Sequence, residues 1–344
     1  MKSYNFKTLT PNIKSDSLSK MIDAAMSSPD INRAAVSKLA GVSLPTAGKL
    51  LAALDECKIT NINYKRDGNI GHPIKYRCFS EQLSALIIDL SSEEYCASVI
   101  DGRAENRFFK TYLVDPAVSF IDNVVSFLSK IASDISNASF GVSAISVIFK
   151  DDSDPLSLSN KRKYAPDLSQ SDTVSFYIAK FFGVLPIACV KESDAVFFAF
   201  KYRVHPLINS QKDTAFIYIG NNIFASFFSN NGYHKSCNIE DLLITDSKTL
   251  STALESAISS EDYGHVLFRA VNLMSCAFSP SRYIIEYDFM RFNNLSLNSI
   301  KRNFALTNSK LPEIIAIDHS SGLARIGAAR MTISEYVKRL ITGI

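Results

Sequence analysis

Nine residues near the amino terminus carry the clearest chemical signal. Ser43, Leu44, Thr46 and Lys49 open one expected helix, and Lys65, Arg66, His72, Lys75 and Arg77 surround an Asp67-Gly68 turn that follows. Lysine and arginine neutralise phosphates, and a small, polar helix start can approach base edges in a groove. The set therefore suits double-stranded DNA. A second group lies further on. Ser193 and Asp194 precede the aromatic run Phe197, Phe198, Phe200, Tyr202. Asp194 could be a base or the anchor of a polar effector, but an ordinary loop acid or helix cap is the better reading. The aromatics read as core that could also line an apolar cleft. His234 and Cys237 are one imidazole and one thiol three residues apart, two ligands short of a tetrahedral metal site. His234 is better read as a surface loop histidine, and no metal or cofactor is expected.

The elements that position the first group follow from periodicity. Ser15 to Ser27 predicts a helix with Leu18, Met21, Ile22 and Ala25 on one face. Pro29-Asp30 breaks it. Asn32 to Ala40 predicts a second helix, capped by Asn32, with Val36, Leu39 and Ala40 on its apolar side. Gly41 ends it in the left-handed conformation. Ser43 caps a third, with Pro45 in its first turn and Ala47, Leu50, Leu51 and Leu54 pointing inward. Gly48 weakens that helix by up to ~1 kcal/mol relative to alanine. From Thr60 to Phe79 the pattern becomes a hairpin about Arg66-Asp67-Gly68-Asn69. Three helices and a basic hairpin make a winged helix-turn-helix, whose 43–57 helix would enter a major groove. Such units also dock on proteins, so that alternative stays open.

Charge agrees with this division. Residues 1–80 hold 12 Lys/Arg against 6 Asp/Glu, whereas the rest holds 25 against 28. A small basic segment joined to a mildly acidic body fits a nucleic-acid module on a carrier. The body, 82–344, reads as α/β. Strands are expected at 85–90, 94–101, 107–114 and 142–149, with an amphipathic helix from about Pro116 to Ser133. A hairpin at 214–228 follows, then helices from about Ile239, strands at 283–287 and 313–317, and a last helix near 333–340. The expected lobes are about 82–190 and 191–344, around a cleft. The six cysteines are scattered, without a Cys-x-x-Cys pair, and read as free thiols. No apolar run approaches the ~20 residues of a membrane span. A cytoplasmic, soluble protein with no membrane partner is expected.

Together these features resemble the ROK family (repressors, open reading frames and sugar kinases) in its regulator form. The resemblance rests on Gly71-His72-Pro73 where the family has Gly-Arg-Pro, on Val190-Lys191-Glu192-Ser193-Asp194-Ala195 beside its Val-x-Glu-Asn-Asp-Ala, and on Gly327-Ala328-Ala329 before the last helix. It implies a two-lobed body of the actin, Hsp70 and sugar-kinase (ribonuclease H-like) type. It also implies a homodimer or dimer of dimers, a bacterial, nucleoid-associated location, and Asp194 at the position of the catalytic aspartate. The kinase motifs have decayed. The first phosphate turn, Asp-x-Gly-Gly-Thr, is Asp89-Leu90-Ser91-Ser92-Glu93 here. The second, Gly-Thr-Gly-Ile-Gly, is Gly220-Asn221-Asn222-Ile223-Phe224, and Tyr287-Asp288 replaces a nucleoside-side Gly-Gly. The zinc-binding Cys-rich block is absent, and Ser193 replaces a sugar-contacting asparagine. The expectation is a DNA-binding regulator whose body is catalytically inactive and serves dimerisation and effector sensing. An active carbohydrate kinase and a protein-docking scaffold are the alternatives.

Overall fold

The computed structural model describes residues 15–26, 30–62, 76–78, 83–92, 94–138, 141–150, 166–203, 213–219, 223–229, 232–239, 242–245, 247–257, 259–287, 302–303, 312–318 and 322–342. Contact density divides the chain into two compact units. Among the described residues, the second takes those within Ala199–Ala324, and the first takes those up to Phe198 together with those from Arg325. The expected cut at 190/191 takes no account of this return of the carboxy-terminal helix.

The amino-terminal segment runs α1 (Ser15–Met26), β1 (Asp30–Ile31), α2 (Arg33–Ala40), α3 (Leu44–Glu56), β2 (Thr60–Ile62) and β3 (Tyr76–Cys78). Met21, Ile22 and Ala25 of α1, Val36 of α2 and Ala47, Leu51 and Leu54 of α3 are fully buried. Each of the larger ones, Met21, Ile22, Val36, Leu51 and Leu54, contributes about 1.5–3 kcal/mol when taken out of water in this way. Leu39 is a correction: it is exposed, because α2 is only two turns long and buries just Val36 and Ala40. The strand β1 was also not anticipated. It pairs with β3, Ile31 facing Tyr76, so the small antiparallel sheet has the order β1-β3-β2. Two residues are too few for a periodic signal.

The rest of the first unit is built on a five-stranded sheet of β4 (Ser84–Asp89), β5 (Glu94–Asp101), β6 (Asn106–Leu113), β7 (Val142–Phe149) and β8 (Ile187–Lys191), in the order β6-β5-β4-β7-β8. The first three are antiparallel neighbours, and β7 and β8 run parallel to β4. Two helices, α4 (Phe120–Ala138) and α5 (Ser171–Phe182), share a core with one face: Leu86, Ile88, Val99, Ile145 and Val147 meet Val124, Phe127, Leu128, Ile131, Val174 and Ile178. The helix expected from Pro116 starts four residues later. Asn123, wholly buried, donates through Nδ2 to the Asp115 carbonyl and accepts from the Asp115 amide, and these bonds hold 115–119 as a turn. It ends five residues beyond Ser133. After β8 comes α6 (Glu192–Arg203).

The second unit repeats the sheet plan. Its strands are β9 (Thr214–Ile219), β10 (Ile223–Ser229), β11 (Gly232–Asn238), β14 (Arg282–Tyr287) and β15 (Glu313–Asp318), in the order β11-β10-β9-β14-β15. Again three antiparallel strands are followed by two parallel ones. The helices expected from Ile239 are displaced. The chain first forms β11 and a short hairpin, β12 (Leu243–Thr245) and β13 (Lys248–Thr249), and only then α7 (Leu250–Ser256) and α8 (Ser260–Phe278). Leu250, Leu254, Leu267, Val271 and Met274 pack from these helices onto Ile217, Ala225, Tyr283 and Ile285. The last helix, α9 (Leu323–Thr342), is far longer than 333–340 and contains Gly327-Ala328-Ala329 rather than following them. Arg325, in its first turn, lies 4.6 Å over the Phe109 ring of β6.

Candidate nucleic-acid interface

Asn32 accepts the Ala35 amide on Oδ1 at 2.9 Å and so starts α2. Gly41, at φ 66°, lets the chain turn back sharply, a geometry that costs a side-chain-bearing residue strain. The Val42 amide bonds the Ser37 carbonyl at 3.1 Å, and Ser37 Oγ donates to the Val42 carbonyl. These bonds fix the angle between α2 and α3. Ser43 then caps α3, its Oγ accepting the Thr46 amide at 3.3 Å and lying 2.8 Å from Thr46 Oγ1. The Thr46 hydroxyl is thereby held against Ser43.

The exposed side of α3 is defined by what is buried opposite. Ala47, Leu50, Leu51 and Leu54 face inward, and Ala53 joins them. At 3.6 residues per turn the opposite face carries Pro45, Gly48, Lys49 and Ala52. Lys49 is exposed as expected, Leu44 is 54% exposed, and Thr46 lies on the flank, half-buried. Pro45 and Ala52 are outward positions that the expected set omits. Gly48 has a structural reason that propensity alone does not supply. A Cβ there would lie 3.2 Å from Nε and 3.3 Å from Cδ of Arg33, so the Arg33 side chain crosses from α2 onto α3. A glycine on the side of α3 away from its apolar face was the available signal for such a crossing.

Of the hairpin residues, Lys65, Arg66, His72 and Lys75 lie outside the described residues. The backbone of Arg77 pairs with Asp30 and Asn61 in the small sheet.

Ser193 and Asp194 open α6 directly after β8; Ser193 is buried and Asp194 partly so. With Glu192 they place two carboxylates at the positive end of a helix, which favours them electrostatically. At the end of β4, Asp89 Oδ1 accepts both the Ser91 amide (3.1 Å) and the Ser91 hydroxyl (2.7 Å), and Ser91 is buried. An amide in such a turn is what a phosphate oxygen would need, and a carboxylate of the same turn already occupies it. In the second sheet Phe224 is buried and stacks on Tyr218, centroids 5.9 Å apart with planes 8° from parallel. The turn residues 220–222 and Asp288 lie outside the described residues.

His234 and Cys237 sit on β11, opposite Phe227 and Ala225, rather than in a loop. Among the described residues no cluster of metal-ligating side chains forms. Cys57, Cys96, Cys189 and Cys276 are free thiols. Burial, with Asp89 nearby, pushes the Cys96 thiol up to about 12, which favours its protonated form. A cavity of about 240 Å³ opens beside β12, β13, α7 and α8, lined by Lys248, Asp262, His265 and Arg269 among others. Its polar groups are bonded to one another's elements: Lys248 to Ser256, Arg269 to the Ile244 carbonyl, and Asp262 to Ser259 as a capping box. No helix among the described residues is long and apolar enough to cross a membrane.

No sequence-family model and no curated protein matches the chain. Solved structures do. A ROK family transcriptional regulator, a homolog of the E. coli MLC protein, superposes with a TM-score of 0.65 at 12% identity, covering 95% of this chain and 98% of that one. A Listeria monocytogenes protein provisionally assigned as an N-acetylmannosamine kinase gives 0.54 at 11% identity, covering 74% and 99%. The inorganic polyphosphate/ATP-glucomannokinase of Arthrobacter sp. strain KM gives 0.51 at 15% identity, covering 74% and 98%. The chain therefore has the fold of ROK proteins.

Proposed function

We propose that this chain is a DNA-binding transcriptional regulator of the ROK type, whose amino-terminal winged helix reads duplex DNA. The observation that carries this is the extent of the likeness. The regulator covers nearly the whole chain, whereas the two kinases omit a share comparable with the amino-terminal segment. The capped α2-turn-α3 geometry and the positive charge of residues 1–80 support it. Two copies joined through the body would present two such segments to a two-fold operator.

Mapping bound DNA across a genome tests the reading and identifies the regulated genes. In vitro, Lys49→Ala is expected to reduce discrimination between bound and unrelated duplexes. Arg66→Ala should weaken both alike and flatten the salt slope by about one unit. Unchanged affinity in both variants at several salt concentrations would move the assignment to protein docking.

The body is proposed to be catalytically inactive. The kinase alternative is kept because two kinases share the fold. Against it stands the Asp89–Ser91 pairing, which closes the first phosphate turn upon itself. Incubated with ATP, magnesium and a panel of sugars, the chain is expected to release no ADP above the rate without sugar. Turnover that depends on one sugar and is lost in Asp194→Asn would establish the kinase reading instead.

A further inference from the structure

We infer that Arg33, a residue outside α3, supplies the guanine-reading contact of this DNA interface, and that Gly48 exists to admit it. The inference rests on the DNA-binding reading above. Within α3 the sequence Leu-Pro-Thr-Ala-Gly-Lys-Leu-Leu-Ala-Ala-Leu-Asp-Glu holds a single cation, Lys49. Its outward face is otherwise proline, glycine and alanine, which offer no hydrogen-bonding side chain to a base edge. The Arg33 guanidinium supplies what is missing. Its Nε and Cζ lie 3.2 and 3.5 Å from where a Gly48 Cβ would stand, so the group rests against the α3 backbone. Leu44 and Ala52, four residues to either side of Gly48, flank that spot along the same face. The charged tip of α2 is thus carried onto the surface that would enter the groove.

Stability does not explain this pair. An arginine at the first position of α2 faces the positive end of the helix dipole. A glycine in the second turn of α3 is a poor helix former. None of the ion pairs among the described residues involves Arg33. Two locally unfavourable choices that fit one another are what a binding contact requires. A guanidinium is planar with paired donors and matches O6 and N7 of guanine bidentately; a lysine ammonium does not.

The test is selection of duplexes from a random-sequence pool by the full-length chain and by Arg33→Ala, followed by affinity measurements on the selected duplex and a scrambled one. The wild type should enrich a motif with a fixed guanine in each half-site, and Arg33→Ala the same motif with that position degenerate. On the wild-type motif Arg33→Ala should bind about tenfold or more weakly, with little change on the scrambled duplex. Arg33→Lys should not restore discrimination. Gly48→Ala should raise the melting temperature by about a few degrees through better helix propensity. Its Cβ would crowd the guanidinium and push it aside by a few tenths of an ångström, so it should loosen the motif. That opposite movement of stability and binding separates a contact from a folding defect. An identical motif from both proteins overturns the inference and leaves the DNA reading standing. Equal weakening on both duplexes with a shallower salt slope assigns Arg33 to phosphate and overturns it too. No enrichment by the wild type removes the DNA reading, and the inference with it.

Discussion

Between 50 and 200 mM salt, the affinity of the chain for its selected duplex is expected to fall by roughly a thousandfold or more, the loss typical of a protein that neutralises six to ten phosphates. Of the cations in residues 1–80, those that the proposed interface offers to phosphate in one copy are Lys49, Lys65, Arg66, Lys75 and Arg77. A dimer doubles them, and not all can touch phosphate at once. Each that does displaces condensed counterions, and it is the entropy of those released ions that salt abolishes. The body should add little, because it carries 25 basic against 28 acidic residues. The slope thus reports the amino-terminal segment almost alone. Fluorescence anisotropy across a salt series measures it. A slope near zero, with tight binding retained, would mean that the contacts are apolar or protein-directed and would defeat the proposed function.

The parts of the fold legible in the sequence were those with long, one-sided periodicity or a cap with its own chemistry. Asn32, Gly41 and Ser43 each have one local task, and each performs it in the structure. The strands β5 and β7 run from end to end as read, since their apolar runs are bounded by polar turns. The failures share a cause. The α4 start was misplaced because a buried asparagine, Asn123, organises the preceding turn through tertiary bonds that no local pattern announces. The strand β11 was read as a loop entering a helix because Gly232–Asn238, Gly-Tyr-His-Lys-Ser-Cys-Asn, is polar throughout. An edge strand draws its stability from its partner β10 rather than from its own composition.

The site was legible where it depends on side-chain type and hidden where it depends on crossing between helices. Lys49 could be placed from the helical period alone. Arg33 could not, because its relevance arises only when α2 folds back at Gly41 and lays it on Gly48. The decay of the phosphate turn was visible as two missing glycines. That Asp89 had turned inward to hold Ser91 was not, since a carboxylate next to serines is equally consistent with a solvated turn.

Replacement of Asp101 by alanine is expected to destabilise the first unit by about 3 kcal/mol, the lower end of the range for breaking a buried charge pair. Asp101 ends β5, and its side chain is wholly buried. Oδ1 accepts the amides of Arg103 (2.9 Å) and Glu105 (3.0 Å), and Oδ2 accepts from Arg107 through Nε (2.8 Å) and Nη2 (2.7 Å). One carboxylate therefore closes the β5–β6 turn, in which Ala104 is held at φ 65°, a conformation an L-residue adopts at a cost. Alanine leaves two amides without acceptors and removes the anchor of Arg107. Because Arg107 is 37% exposed, water compensates part of the charge term, which places the expectation at the low end. Asp101→Asn keeps a carbonyl for the two turn amides but sets an NH2 donor against Arg107 where Oδ2 accepted, so it loses the charge and both arginine bonds while sparing the turn, and it should cost less than Asp101→Ala. Urea unfolding resolves the difference if the transition of the first unit is followed separately, since a chain of several units need not unfold in one step. Equal costs for the two variants would show that the arginine pair, and not the turn amides, carries the stabilisation.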